Sequence, residues 1–251
     1  MKYLIVTADD FGLTAPINRA VISAHREGIL TSASLMMGEA ATKEAVLLAK
    51  QNPTLAVGLH LTLVKGRSVL SWAEIPHLVD DRQRFSERLL TSGIGYYFSK
   101  TKRGELKKEC EAQVEAFLKT GLKLDHINGH NHFHIHPVLR DILVALVKKY
   151  KIPAVRIPRQ SLLVQPFARR LAKRLRGLSV RVNDHLFGLL EDSQMNEEQW
   201  LKIIPKIKEG VTEIYSHPTM NSEEWVALKS QKVKNLLNTS GVRCTTFSKL
   251  P

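Results

Sequence analysis

The chain has 251 residues, 43% of them hydrophobic and 24% charged, a globular composition that excludes a disordered or low-complexity protein. Its net charge of +13 favours polyanions, either nucleic acid or an anionic membrane surface, without choosing between them. No apolar run is long enough to span a bilayer, and the two cysteines, Cys110 and Cys244, match neither a zinc spacing nor a disulfide framework, which predicts a reducing cytoplasm.

Residues 2–8 read as a buried strand, not a signal peptide, because the apolar run ends directly in Asp9-Asp10-Phe11-Gly12. Thr14 can cap a helix with Pro16 in its first turn and Gly28 near its end. A strand is expected over 31–37, a short helix over 42–51 and a third strand over 55–63, which carries His60. The stretch 65–102 is irregular, with Gly66, Pro76, Asp80-Asp81 and Gly93, and suits a lid or substrate loop. Helical periodicity follows over 105–120.

Half of the ten histidines then fall between Asp125 and Pro137. If this stretch stays extended, His126, Asn128, His130, His132, His134 and His136 share one face. Helices are expected over 138–150 and, strongly basic, over 165–177, with a strand at 154–158 between them. A strand at 211–216 runs into His217-Pro218, and a helix over 223–240 and a strand over 242–247 close the chain. Strands alternating with helices predict a parallel sheet or barrel in a single domain, 1–251.

Four features end predicted strands: Asp9-Asp10, His60, His130 with its neighbours, and His217. Each has an ordinary explanation alone: a turn cap, a packed core histidine, a metal-sticky loop, turn chemistry. Active sites of parallel α/β folds assemble at that same edge, which is why the four count together. A carboxylate with two imidazoles makes a three-ligand divalent site open to water or substrate. The adjacent aspartate could then take a proton from the attacking water, and a histidine could protonate a leaving amine. The same ligand set also suits a non-haem iron oxygenase, although those sit on antiparallel β folds. A non-catalytic, charge-driven binding protein is the third reading.

The segments 5–12, 57–60 and 125–134 resemble the YdjC-like (ChbG-type) carbohydrate deacetylase family in motif, order and spacing. Segments 24–36, 74–76, 182–190 and 210–218 resemble in particular its hopanoid biosynthesis-associated branch. The resemblance implies a TIM-like α/β barrel that removes N-acetyl groups from amino sugars. Carried over, Asp10, His60 and His130 hold a divalent metal, Mg²⁺ first and Zn²⁺ second. Asp9 is the general base, and His217 the general acid with His132 as rival. Arg156 either orients Asp9 or grips the substrate. The family often has three consecutive histidines after Gly129, and here the middle one is Asn131; on strand alternation Asn131 faces away from the metal. His126, His134 and His136 are read as supporting residues.

The branch implies N-acetylglucosamine carried on a hopanoid lipid, with a soluble chito-oligosaccharide as the alternative substrate. Residues 166–178, which carry Arg169, Arg170, Lys173, Arg174 and Arg176 without an acid, could then touch an anionic membrane at the inner surface, or simply pack on the barrel. Few aromatics interleave with these cations, so no nucleic-acid partner is expected. The oligomeric state stays open, with a homodimer carried forward.

Overall fold

The computed structural model describes residues 1–158, 165–188 and 195–251; Leu189 and Leu190 of the segment 182–190 lie outside them. Seven parallel strands form a curled sheet in the order β4-β3-β2-β1-β6-β5, with β7 added to β1. They are β1 (Lys2–Phe11), β2 (Ser32–Leu35), β3 (Ala56–Leu61), β4 (Leu124–Gly129), β5 (His185–Phe187), β6 (Gly210–Ser216) and β7 (Val242–Cys244). β6 pairs with β1 from Lys2 to Ala8. The other edge of β1 is shared, by β7 at Lys2–Leu4 and by β2 from Thr7 onward. Beyond β4 the curl continues through single parallel bridges, Ile127 to Val155 and Ala154 to Arg181. Asn183 extends that seam with its side chain, accepting from Ile157 N (2.6 Å) and donating to Ile157 O (2.9 Å). The expected strand at 154–158 is therefore reduced to two bridged residues held by an amide.

Between strands run α1 (Ala15–Glu27), α2 (Thr42–Lys50), α3 (Leu89–Phe98), α4 (Lys100–Lys119), α5 (Pro137–Tyr150), α6 (Gln165–Arg176), α7 (Glu197–Ile203), α8 (Glu223–Lys229) and α9 (Gln231–Thr239). Thr14 caps α1 through Ile17 N, as its sequence position predicts. The single helix expected over 223–240 breaks at Ser230, whose extended backbone ends α8 and whose hydroxyl caps α9. β7 stops at Cys244, and a 3-10 turn at Phe247–Lys249 follows.

Alternation sorts the residues of β1. Leu4, Val6 and Ala8 join the large apolar cluster shared with the helices. Ile5 instead joins Ala154, Phe247 and Leu250, with Tyr3 and Val211 packed beside them, in a small apolar plug inside the curl. Thr7 and Asp9, next along the same face, are buried polar groups. The interior thus changes from apolar to polar and ionic toward the C-terminal strand ends. Gly58 of β3 permits this filling, because a Cβ there would lie 2.4 Å from the His126 ring.

The stretch 65–102 is more ordered than its composition suggests. It contains all of α3 and the start of α4, and antiparallel bridges join Arg67 to Arg84 and Val79 to Phe85. Two buried carboxylates of α4 pin it. Glu109 accepts from Val69 N (2.8 Å) and Leu70 N (3.0 Å). Glu105 accepts from His77 N (3.0 Å) and meets His77 Nδ1 at 2.6 Å.

Candidate metal centre and surrounding site

Two irregularities of the backbone assemble the site. Ala8 pairs with Ala33 and Phe11 with Leu35, so β1 carries one extra residue there. Asp10 occupies this bulge at φ 61°, a left-handed conformation that aspartate tolerates better than most residues. In a regular strand Asp9 and Asp10 would face opposite sides. The bulge lets Phe11 return to the outer core while Asp10 reaches the histidines of β3 and β4.

The second irregularity corrects the expectation of a long histidine strand. β4 ends at Gly129, and residues His130–Ile135 form a 3-10 turn in which Asn131 (φ 51°) and His132 (φ 54°) are left-handed. No imidazole-lined face exists, because the chain leaves the sheet at His130. His134 folds back against Gly129, where a Cβ would lie 2.7 Å from its Nδ1. Asn131 is exposed, as expected, but through the turn and not through alternation.

The Asp10 Oδ1 atom lies 3.2 Å from His60 Nε2 and 3.1 Å from His130 Nδ1, and these nitrogens are 3.2 Å apart. Asp10 Oδ1 is buried and makes no aligned hydrogen bond despite these approaches. For His60, the tautomer explains why. Asn128 Nδ2 donates to Asp9 Oδ1 (3.0 Å) and Ser34 Oγ (2.9 Å), which leaves Asn128 Oδ1 facing His60 Nδ1 at 2.7 Å. That oxygen can only accept, so Nδ1 carries the proton. In neutral His60 the Nε2 lone pair then faces the lone pairs of Asp10. Burial lowers the His60 pKa, but the Asp9 and Asp10 carboxylates outweigh it and the net shift is upward. Burial likewise works against ionisation of Asp10, yet His130 and His60 hold it well below the usual carboxylate range. The cluster calls for positive charge at its centre.

A divalent cation fits that demand. Ligand bonds of ~2.1 Å put neighbouring donor atoms ~3.0 Å apart in octahedral and ~3.4 Å apart in tetrahedral coordination, which brackets the observed edges. Among the described residues, Asp10, His60 and His130 form the one such cluster of potential ligands.

Asp9 sits beside this centre, 2% exposed. Arg156 Nη1 donates to its Oδ2, and Arg156 Nη2 reaches Oδ1 at 3.1 Å. Burial would raise the Asp9 pKa, but Arg156 above all holds it far below the usual range, with His60 and His217 adding to the effect. Arg156 has no exposed surface and also binds Glu213 Oε1 at 2.8 Å, which Thr7 Oγ1 meets at 2.8 Å. Arg156 thus ties the Asp9 and Glu213 carboxylates together. Its carbonyl oxygen accepts from His134 Nε2 at 2.9 Å.

His132 Nε2 lies 2.8 Å from the Tyr215 hydroxyl, and Tyr215 meets the His217 ring edge-on at 5.6 Å. Burial and then Arg156 drive the His132 pKa well below its ordinary value, so the ring is neutral near pH 7. His217 follows the end of β6 and is half-buried. The remaining histidines support the frame. His126 bridges Asp125 Oδ2 (3.0 Å) and Ser34 Oγ (3.0 Å), and His136 stacks on Phe133 at 5.7 Å.

Contacts thus link the residues singled out in sequence: Asp10 meets His60 and His130, Asp9 is held by Arg156, and His132 reaches His217 through Tyr215. The sequence reading placed Asn128 on the histidine face without giving it a role, and it missed Glu213, Tyr215 and Ser34. Glu213 and Tyr215 share the strand parity of His217, and an acid inside an otherwise uncharged strand was a signal available for Glu213.

A family model described as YdjC-like protein matches residues 3–243. A carbohydrate deacetylase of Brevibacillus brevis is 31% identical, covering 98% of this chain and 99% of its own. One from Vibrio cholerae is 39% identical over 60% of this chain and 57% of its own. A crystal structure from Enterococcus faecalis V583, assigned provisionally to cellobiose-phosphate cleavage, has a TM-score of 0.84 at 28% identity and covers 98% of each chain. The T48 deacetylase solved with substrate, at 11% identity and a TM-score of 0.50, shares the fold.

Proposed function

The chain belongs to the YdjC-like family, and from that premise we propose that it is a metal-dependent carbohydrate N-deacetylase. The observation that carries the reading is the converging Asp10, His60 and His130 cluster with an ionised, immobilised Asp9 beside it. A divalent metal held by the three ligands, Mg²⁺ before Zn²⁺, would polarise the acetamide carbonyl and acidify the attacking water. Asp9 accepts the proton of that water. Arg156 and Asn128 keep its carboxylate ionised and aimed, which also makes it a weak base suited only to an already acidified water. His217 donates to the amine nitrogen as the C–N bond breaks, releasing acetate and a free amino sugar. His132 is the poorer acid, because it is held neutral and engaged with Tyr215.

The substrate we favour is N-acetylglucosamine on a hopanoid lipid, on the strength of the branch-like segments and the basic face of α6, which would meet an anionic membrane surface. The competing oxygenase reading was tied to antiparallel folds, and the named strands here pair only in parallel. The test is acetate release from N-acetylglucosaminyl hopanoid and from chitobiose, with Mg²⁺ or Zn²⁺. Asp9→Asn should lower turnover at least ~100-fold while metal still binds. No acetate from either compound would sink the deacetylase; acetate from chitobiose alone would sink the lipid-linked substrate.

A further inference from the structure

α3 is out of place on a water-soluble surface. Its sequence, LLTSGIGYYF, contains no charge. One side of it packs on the protein: Ser92 and Tyr96 are buried, and the Tyr96 hydroxyl donates to Leu63 O at 2.9 Å. The opposite side is also apolar. Leu90 is 84% exposed, Ile94 62%, Tyr97 52% and Phe98 76%. Their spacing of i, i+4, i+7 and i+8 places them on a single stripe. A contiguous apolar stripe facing water is unusual and marks a surface that something covers.

The surroundings say what covers it. Arg88 precedes the helix, and Lys100, Lys102, Arg103, Lys107 and Lys108 follow it. The acids of the same stretch are Glu87 and Glu105, and Glu105 is bound to His77. Tyr97 and Phe98 line a cleft of about 650 Å³ together with Arg103, Lys107 and Arg140, and its one acid, Asp141, is paired with Arg140 at 3.6 Å and Arg174 at 2.6 Å. An apolar stripe rimmed by cations is complementary to acyl chains beneath anionic headgroups. α6 cannot supply the apolar part, because Ala168, Leu171, Ala172 and Leu175 are buried against the protein. It adds mainly positive charge, with Phe167 its one large exposed hydrophobic residue at 43%, and like α3 it packs on α5.

We infer that α3 is a membrane-docking helix that inserts Leu90, Ile94, Tyr97 and Phe98 into the surface of an anionic bilayer. This deepens the lipid-linked substrate reading and rests on it for its purpose, though not for its physics. The helix leans on the metal-bearing turn: Tyr96 meets Phe133 edge-on at 5.7 Å, and Gly93 leaves room for Phe133 and His136. Docking through α3 therefore brings the bilayer beside the turn that carries His130.

The experiment is vesicle flotation of the full chain, with phosphatidylcholine alone and with phosphatidylcholine mixed with phosphatidylglycerol. Wild type should float with the anionic vesicles. Ile94→Ser/Phe98→Ser, at exposed positions, should reduce partitioning at least ~10-fold. Arg103→Glu/Lys107→Glu should abolish the preference for the anionic vesicles. Docking is overturned if wild type floats with neither composition, or if the serine variant floats as wild type does. It is also overturned if the serine variant merely converts a dimer to monomers in sedimentation, since the stripe would then join two copies. Acetate release from soluble chitobiose separates the two readings. Release without flotation removes docking alone, and flotation without release from any N-acetyl sugar supports docking and removes the deacetylase.

Discussion

Asn128 is the residue on which both halves of the site depend. Its amide fixes the Nδ1–H tautomer of His60 and at the same time holds Asp9. Behind it a buried chain runs through Ser34 and His126 to Asp125, so the amide cannot turn without breaking bonds deeper in the curl. Asn128→Leu should weaken binding of Mg²⁺ or Zn²⁺ about 10- to 100-fold, because His60 loses the partner that exposes its Nε2 lone pair. Isothermal titration of the metal-free protein measures this independently of turnover, and an unchanged affinity would remove Asn128 from the site. The histidine cluster drew attention in the sequence, yet the residue coordinating the others is an asparagine two positions before His130. Nothing in its local pattern separates it from an ordinary buried strand amide.

At the scale of elements, the turn from His130 to Ile135 is held by a histidine that must stay neutral. Burial pushes the His134 pKa down to about 4, from an ordinary 6.5. The folded state thus binds fewer protons than the unfolded chain between those values. The associated stability is complete above about pH 6.5 and is lost as pH falls toward 4, by on the order of 3 kcal/mol. Thermal unfolding midpoints should fall across that window. His134→Gln, which keeps a donor for the Arg156 carbonyl, should flatten the slope; an equal slope in the variant would show that other groups set it. The 3-10 turn itself was not legible in sequence. Alternating histidines read as a strand, whereas the left-handed Asn131 and His132 follow from where the 130–136 segment must pack.

At the scale of the whole molecule, the proposed metal ligands come from three separate strand ends, so a bound ion would couple occupancy to stability. An ion that binds the folded chain at a hundred times its Kd adds about 2.7 kcal/mol. Chelation should therefore lower the thermal midpoint, Mg²⁺ or Zn²⁺ should restore it, and Asp10→Asn should remove the response. A midpoint indifferent to metal in the wild-type chain would contradict the assignment of these ligands. No helix among the described residues is long and apolar enough to cross a membrane. Four of the ten exposed large hydrophobic residues among those described lie together on α3, within the stretch that composition marked as irregular.

Sequence alone determined the parallel α/β order, because apolar runs of strand length alternate with amphipathic helices and local periodicity records both. It also determined which residue types stand at the strand ends, since Asp9, Asp10, His60, His130 and His217 each interrupt or close an apolar run. Only the tertiary structure decided how they meet. A one-residue bulge carries Asp10 to the side of His60 and His130, a buried guanidinium fixes Asp9, and an early exit from β4 breaks up the histidine row. These are decided by pairing register and by charge buried without water. Both depend on residues distant in the chain, so no local pattern in the sequence encodes them.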